Sequence, residues 1–453
     1  MSTSSSGELP VAIVGAGFSG TLLAINLLRQ RANVVLVERD AHHLAKGLAF
    51  GTQRPEHLLN VRASNMSAFP DDKDHFLRWM GFSSEDQANR FVPRLAYGQY
   101  LREQLIEALA TSGGRALVRD GEAVGADFAT DGITLHLGDG GIVRCRALVL
   151  ALGNFPPRPI PVLSALPEGI RFDDPWPREA TTGVEDASHI LLIGTGLTSV
   201  DIALSLHGNG FRGKITALSR RGLRPRSHAE VGPAVSPVDR PQEKGSLLLK
   251  RIRHRAAAIG WREAIDELRP HVQHLWRTHD AAAQHRFLRH ARAYWDVHRH
   301  RLAPAVDGRI RALEETGSLT FAAGHILEAT EQGGKARVTW RRRCDGSIET
   351  LTADRVINCT GPEGDLARTP NALVRSLLDA GRISPDVHRL GLDVEHTGRV
   401  RDTAGEPQDS LFAVGPMTKG EAWEIVAVPD IRRQVWDLAR YLANAHWVGG
   451  EGL

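Results

Sequence analysis

The sequence predicts an α/β fold with two parallel-sheet units and a helical insertion. Two glycine-rich turns carry the first half of that prediction. Val11–Val14 runs into Gly15-Ala16-Gly17-Phe18-Ser19-Gly20, and Ile190–Ile193 runs into Gly194-Thr195-Gly196-Leu197-Thr198-Ser199. An unbroken apolar run fits a strand buried on both faces of a parallel sheet. A glycine turn between such a strand and a helix opens a Rossmann-like dinucleotide-binding unit. The insertion is predicted by a stretch at about 243–315 with helical spacing and many Arg, His and Trp residues.

In the first unit each residue type has a task. Gly15 allows the tight turn, Gly17 lets the backbone approach a pyrophosphate, and Gly20 lets the helix pack closely. The helix that follows, Thr21–Leu28, offers free N–H groups and a partial positive charge to phosphate. A second buried strand, Val34–Val37, ends in Glu38. A carboxylate there accepts hydrogen bonds from a ribose 2′,3′-diol and repels a 2′-phosphate, so this site is expected to take FAD or NAD rather than NADP.

The second unit differs where another ligand would require it. Ser199 replaces the third glycine, and the next strand, Lys214–Leu218, ends in Ser219-Arg220-Arg221-Gly222 rather than in an acid. Two guanidinium groups suit a 2′-phosphate through bidentate hydrogen bonds and stacking on adenine. This site is therefore expected to take NADPH; the alternative for Arg220 and Arg221 is a solvated turn. Two dinucleotides on one chain imply electron transfer between them.

Composition bounds the rest. The 453 residues suffice for two or three domains, 42% are hydrophobic and 24% charged, and the formal net charge is +3. That charge is too small to argue for nucleic acid. No apolar run is long enough to span a membrane, and residues 1–8 lack the regions of a signal peptide, so the expected compartment is the cytoplasm. Cys145, Cys344 and Cys359 are scattered, with no C-x-x-C, so neither a disulfide relay nor a metal site is expected.

Along the chain, residues 115–147 read as an antiparallel meander and 156–177 as a proline-rich linker. A strand Ala147–Leu152 leads to Gly153, a strand Arg355–Thr360 leads to Gly361, and Leu411–Val414 leads to Gly415. The expected division is a discontinuous FAD domain, 1–157 and 330–453, around an NADPH domain, 185–329.

The order of these motifs resembles the two-dinucleotide-binding-domain flavoproteins. The runs Gly47-Leu-Ala-Phe50, Pro55–Arg62, Met66–Pro70, Arg94–Gly98 and Trp423–Arg432 are similar to the bacterial FAD-NAD(P)-binding protein family. That resemblance implies FAD contacts at Gly15, Gly17, Gly20, Glu38, Asn60 and Gly415, beside Phe18, Ser19 and Gly153. It implies NADPH contacts at Gly194, Gly196, Thr198, Ser199, Arg220 and Arg221, with Gly361 at the neighbouring strand end. Pro416 stands where many such flavoproteins carry an acid.

With paired thiols missing, oxygen is the leading electron acceptor, through a C4a-hydroperoxyflavin, and the cofactor rather than a side-chain triad does the chemistry. The expected function is an NADPH-dependent monooxygenase acting on a small nitrogen-containing or anionic substrate. The alternatives are a flavin reductase without oxygen insertion and a non-catalytic redox sensor. No catalytic residue is identified; the candidates for catalysis or substrate contact are His57, Asn60, Arg289, His290, Trp295 and Arg299. The competing account of the insertion residues is a solvated face with packed indoles.

Overall fold

The structure, a computed structural model, describes residues 8–231 and 238–443. Its first sheet has six strands in the order Arg399–Arg401, Pro407–Ala413, Ala147–Leu150, Val11–Val14, Val34–Glu38 and Ala116–Asp120. All neighbours are parallel except the first pair. One face packs on the helices Phe18–Arg29, Arg94–Ala110 and Val428–Leu442, through Ile13, Leu22, Leu101, Val149 and Val435. The other face packs on a three-stranded antiparallel sheet and the helix Ala372–Asp379, through Val14, Leu135, Leu150 and Leu373. Alternate residues of the central strands Val11–Val14, Val34–Val37 and Ala147–Leu150 thus enter opposite layers, which explains why these three runs are apolar throughout.

The second sheet has seven strands: Ile348–Ala353, Lys335–Arg342, Leu319–Gln332, Lys214–Ser219, His189–Ile193, Arg355–Asn358 and Arg171–Phe172. Its parallel part packs on the helices Leu197–Gly208 and Pro304–Glu315 through Ile190, Val200, Ile215 and Ile310.

Three boundaries differ from the sequence expectation. The strands at 335–342, 348–353 and 355–358 belong to the second sheet, so the change of domain expected at 329/330 falls inside one of its strands and lies instead near Gly361. Alternating patterns mark a strand but not the sheet it joins. For the same reason the meander expected at 115–147 splits, because Ala116–Asp120 pairs in parallel with Val34–Glu38 in the first sheet. The proline-rich linker contributes a two-residue edge strand, Arg171–Phe172.

The insertion is helical, with Gly245–Ile259, Trp261–Leu268, Val272–Arg277, Ala281–His290 and Arg292–Arg299 in sequence. Pro304–Glu315, expected inside it, is instead the crossover helix between the parallel strands Lys214–Ser219 and Leu319–Gln332. The two chain crossings between the sheets run side by side, joined at Phe155 and Glu363. No helix among the described residues is long and apolar enough to cross a membrane.

Candidate cofactor clefts

Each glycine turn sits at the carboxyl end of its sheet, where ligands bind in open α/β folds. In the first, a Cβ on Gly20 would come 1.9 Å from the Gly15 carbonyl oxygen, so the third glycine is fixed by contact with the turn itself. The helix begins after Gly17 with no side-chain cap, leaving its first N–H groups for an anion. Gly17 in turn faces Gly47, where a Cβ would come 3.2 Å from the Gly17 Cα. Glu38 is half-buried at the strand end: Ala16 N–H donates to its Oε2 at 2.7 Å and Asp40 N–H to its Oε1 at 3.1 Å. Each carboxylate oxygen keeps a lone pair free for a ribose hydroxyl. These residues fit a diol-bearing dinucleotide.

Phe18 and Ser19 are both buried. The Phe18 ring packs edge-on against Phe50 at 5.5 Å, so it is a core residue. Gly415 is pressed against Ser19, and its N–H donates to Gln434 Oε1 at 2.7 Å. Any contact from Gly415 to a ligand is therefore made without its N–H. Gly153 and Gly361 both have positive φ, with nothing within 4 Å of an added Cβ. They leave open backbone at the mouths of the two sheets.

The second turn is built alike but tied differently. Ser199 is buried and its hydroxyl donates to the Gly194 carbonyl. That side chain closes the turn, and only its backbone remains for phosphate. Gly196 is exposed with open space around it, and its helix too has no side-chain cap. Thr198 is half-buried. Arg220 is exposed; Arg221 is half-buried, donates to the Arg289 carbonyl at 3.3 Å and lies 5.8 Å from the Tyr294 ring. So Arg220 projects into solvent at the strand end, while Arg221 also anchors the insertion.

His57 does not suit a catalytic role. It is buried, Thr52 Oγ1 lies 2.9 Å from its Nδ1, and the Asp201 carbonyl and Ser205 Oγ lie 3.1 and 2.9 Å from Nε2. A carbonyl can only accept, so Nε2 carries the proton. Burial holds the ring's pKa below its usual value, keeping it neutral. Nε2 fastens the first unit to the helix Leu197–Gly208 of the second, while Thr52 holds Nδ1 within the first unit. The Asn60 carbonyl accepts from His228 Nε2 at 3.1 Å, and Arg62 donates to the Ala229 carbonyl at 2.7 Å, so this segment is a second seam.

The four insertion candidates divide into two pairs. Arg289 and His290 are exposed. Trp295 and Arg299 converge on the buried Glu424, Nε1 to Oε1 at 2.8 Å and Nε to Oε2 at 2.9 Å. Burial pushes the Glu424 carboxyl upward, but His300 once protonated in acid, Arg299, the Trp295 hydrogen bond and Lys419 outweigh it and lower its pKa. Trp276 stacks on Trp423 at 4.8 Å and donates to the Gly420 carbonyl at 2.7 Å. The insertion thus docks on the segment that follows Gly415. Glu424 and the 415–425 segment as a docking platform were missed, although Trp423–Arg432 stands out as a run.

Residues 12–155 match the FAD-NAD(P)-binding family model. That stretch is an FAD-NAD(P)-binding domain. The whole chain is similar to ornithine hydroxylase from Pseudomonas aeruginosa, 15% identical with a TM-score of 0.65, over 97% of this chain and 99% of that one. It is similar to L-lysine 6-monooxygenase from Pseudomonas syringae at 15% identity and a TM-score of 0.65, over 97% and 100%. Bacillithiol disulfide reductase from Bacillus cereus matches at 15% identity and a TM-score of 0.58, again over 97% and 100%. No curated protein sequence matches the chain. The shared fold is that of two-dinucleotide-binding-domain flavoproteins, and in it the FAD-NAD(P)-binding domain supplies the Gly15–Gly20 turn.

Proposed function

We propose that the protein is an NADPH- and FAD-dependent monooxygenase that hydroxylates a small polar, nitrogen-containing molecule. The observation that carries this reading is the asymmetry of two glycine turns at the carboxyl ends of two sheets. One has the carboxylate Glu38 at its second strand end, and the other has the exposed Arg220 beside Arg221. A diol-binding acid suits FAD, and guanidinium groups suit the 2′-phosphate of NADPH. Bound FAD would supply the redox chemistry with oxygen; the chain's own groups would bind, orient and exclude water.

Hydroxylation is favoured over thiol chemistry by the cysteines. Cys145 and Cys359 are buried, with burial raising their thiol pKa values to about 11 and about 12, and the exposed Cys344 has no disulfide partner. Thiolates are the reactive form, so the two buried thiols are poor relays. The fold neighbours named for ornithine and lysine hydroxylation support an amine as substrate.

The test is NADPH oxidation by the FAD-loaded protein in air, with L-ornithine, L-lysine and cadaverine as first substrates. The expected result is substrate-stimulated oxidation with a stoichiometric hydroxylated product. Stoichiometric peroxide with every amine would make the protein a flavin reductase. Tight FAD binding without any NADPH-driven bleaching would make it a sensor.

A further inference from the structure

The segment after Gly415 contains a cation without a counter-ion. Lys419 Nζ lies 4.8 Å from the Trp423 ring centroid, and Arg292 Cζ lies 5.7 Å from the same ring. Two cations therefore share one indole. The other cations here have carboxylates: Arg292 with Asp296 at 3.4 Å, Arg299 with Glu424 at 2.9 Å, Arg277 with Glu421 at 2.7 Å and Arg269 with Asp430 at 4.0 Å. Among the described residues no carboxylate stands within 4.0 Å of Lys419 Nζ. His300, which also faces Glu424, is held neutral by burial. The cluster is left with one uncompensated positive charge.

That charge is enclosed yet reachable. Burial first, and then the Arg292 charge, bring the Lys419 ammonium down to about 8, against the opposing pull of Asp296 and Glu424. A largely enclosed cation with no carboxylate beside it is unfavourable, and an incoming anion would relieve it. Lys419 is only half-buried by surface, so a ligand can reach it from solvent. It stands four positions beyond Gly415, which packs on Ser19 at the first glycine turn.

We propose that Lys419 and Arg292 form a receiving site for a carboxylate, and that the small molecule handled by this protein carries one. An amino acid or related acid is then the substrate class, not a bare amine. The word substrate rests on the proposed function, whereas the carboxylate site stands without it. A monoanion suits the single spare charge better than a phosphate dianion, which would meet Asp296, Glu421 and Glu424 on the surrounding elements. Both cations keep N–H donors for the two oxygens of one carboxylate.

The test reads binding and stability, without turnover. The full-length protein, with and without added FAD, is titrated calorimetrically with L-lysine against cadaverine, and with hexanoate against hexanamide. The acids are expected to bind roughly tenfold or more tighter than their partners, the ratio of one charge-assisted contact. Lys419→Met should lose that preference while its melting temperature without ligand is unchanged or higher. Lys419→Arg should restore part of the preference. Equal binding of acid and neutral partner, or no binding of either acid at millimolar concentration, would overturn the site. So would a Lys419→Met variant that melts several degrees lower, because Lys419 would then be a structural cation. Failure of hydroxylation with intact acid binding would count against the proposed function alone.

Discussion

Arg94 and Asp201 form a buried ion pair across the two units, Nη1 to Oδ2 at 2.8 Å, with side-chain exposures of 17% and 9%. Arg94 opens the helix Arg94–Ala110 of the first unit, and its Nε also donates to the Leu58 carbonyl at 3.3 Å. Asp201 lies in the helix of the second glycine turn, two positions beyond Ser199. The pair and His57 therefore lock the two cofactor clefts at one seam.

Removing one partner of such a pair strands the other charge away from water. Arg94→Met and Asp201→Asn should each destabilise the protein by on the order of 3 kcal/mol. The double variant should lose much less than the sum of the two. Denaturant unfolding of the four proteins checks this, and simple additivity would show that the two side chains do not interact.

Acid should loosen the second seam. Burial, and then the Arg301 charge, hold the His228 imidazole at about 4. Its pKa is thus lower folded than the roughly 6.5 of an unfolded histidine. The unfolded chain binds the proton first, so the stability from this group is complete above about pH 6.5 and is lost as pH falls toward 4. Between pH 7 and 5 the loss should be on the order of 1–2 kcal/mol, with the buried His57 adding in the same direction. His228→Gln should keep a donor to the Asn60 carbonyl and flatten the profile. An unchanged slope in that variant would show that acid acts elsewhere.

The strands and glycine turns were legible because burial on both faces imposes long apolar runs and a dinucleotide turn imposes glycine. Sheet membership was not legible at 330–358. The same alternation serves a first-sheet or a second-sheet strand, and only the pairing of Leu319–Gln332 with Lys335–Arg342 decides it. The placement of Glu38 was legible, because the order of strand, turn and helix sets the strand end beside the turn. Side-chain roles were illegible at His57 and Ser199, whose partners lie across the seam or on the turn's own backbone. Glu424 escaped for a related reason: its partners, Trp295 and Arg299, are more than 120 positions earlier.

Two glycines of the first turn should respond differently. A Cβ on Gly17 would meet the Gly47 Cα at 3.4 Å, an ordinary contact, whereas one on Gly20 would meet a backbone oxygen at 1.9 Å. Gly17→Ala should therefore leave the melting temperature of the FAD-free protein nearly unchanged while weakening FAD retention, because an added side chain hinders the close approach of a pyrophosphate to the backbone at this second glycine. Gly20→Ala should lower both. Flavin content per chain and thermal unfolding separate the outcomes. Full FAD occupancy in Gly17→Val, with its larger side chain, would remove the site from this turn.

Coenzyme preference should depend on Arg220 more cleanly than on Arg221. Arg220 is exposed at the strand end where an NAD-selective site would carry an acid, and its side chain is free to meet a 2′-phosphate. A lost charge-assisted contact amounts to about 1.5–3 kcal/mol, so Arg220→Ala should raise the KM for NADPH roughly tenfold or more. NADH lacks the phosphate, and its KM should stay nearly constant. Arg221 holds the Arg289 carbonyl and faces Tyr294 as well, so Arg221→Ala should also disturb the insertion. Its effect should appear with both coenzymes and as earlier proteolysis within 245–299. Steady-state kinetics with the two coenzymes, beside a limited-proteolysis time course, distinguish the two arginines. Equal losses with NADPH and NADH in Arg220→Ala would mean that this strand end does not read the phosphate.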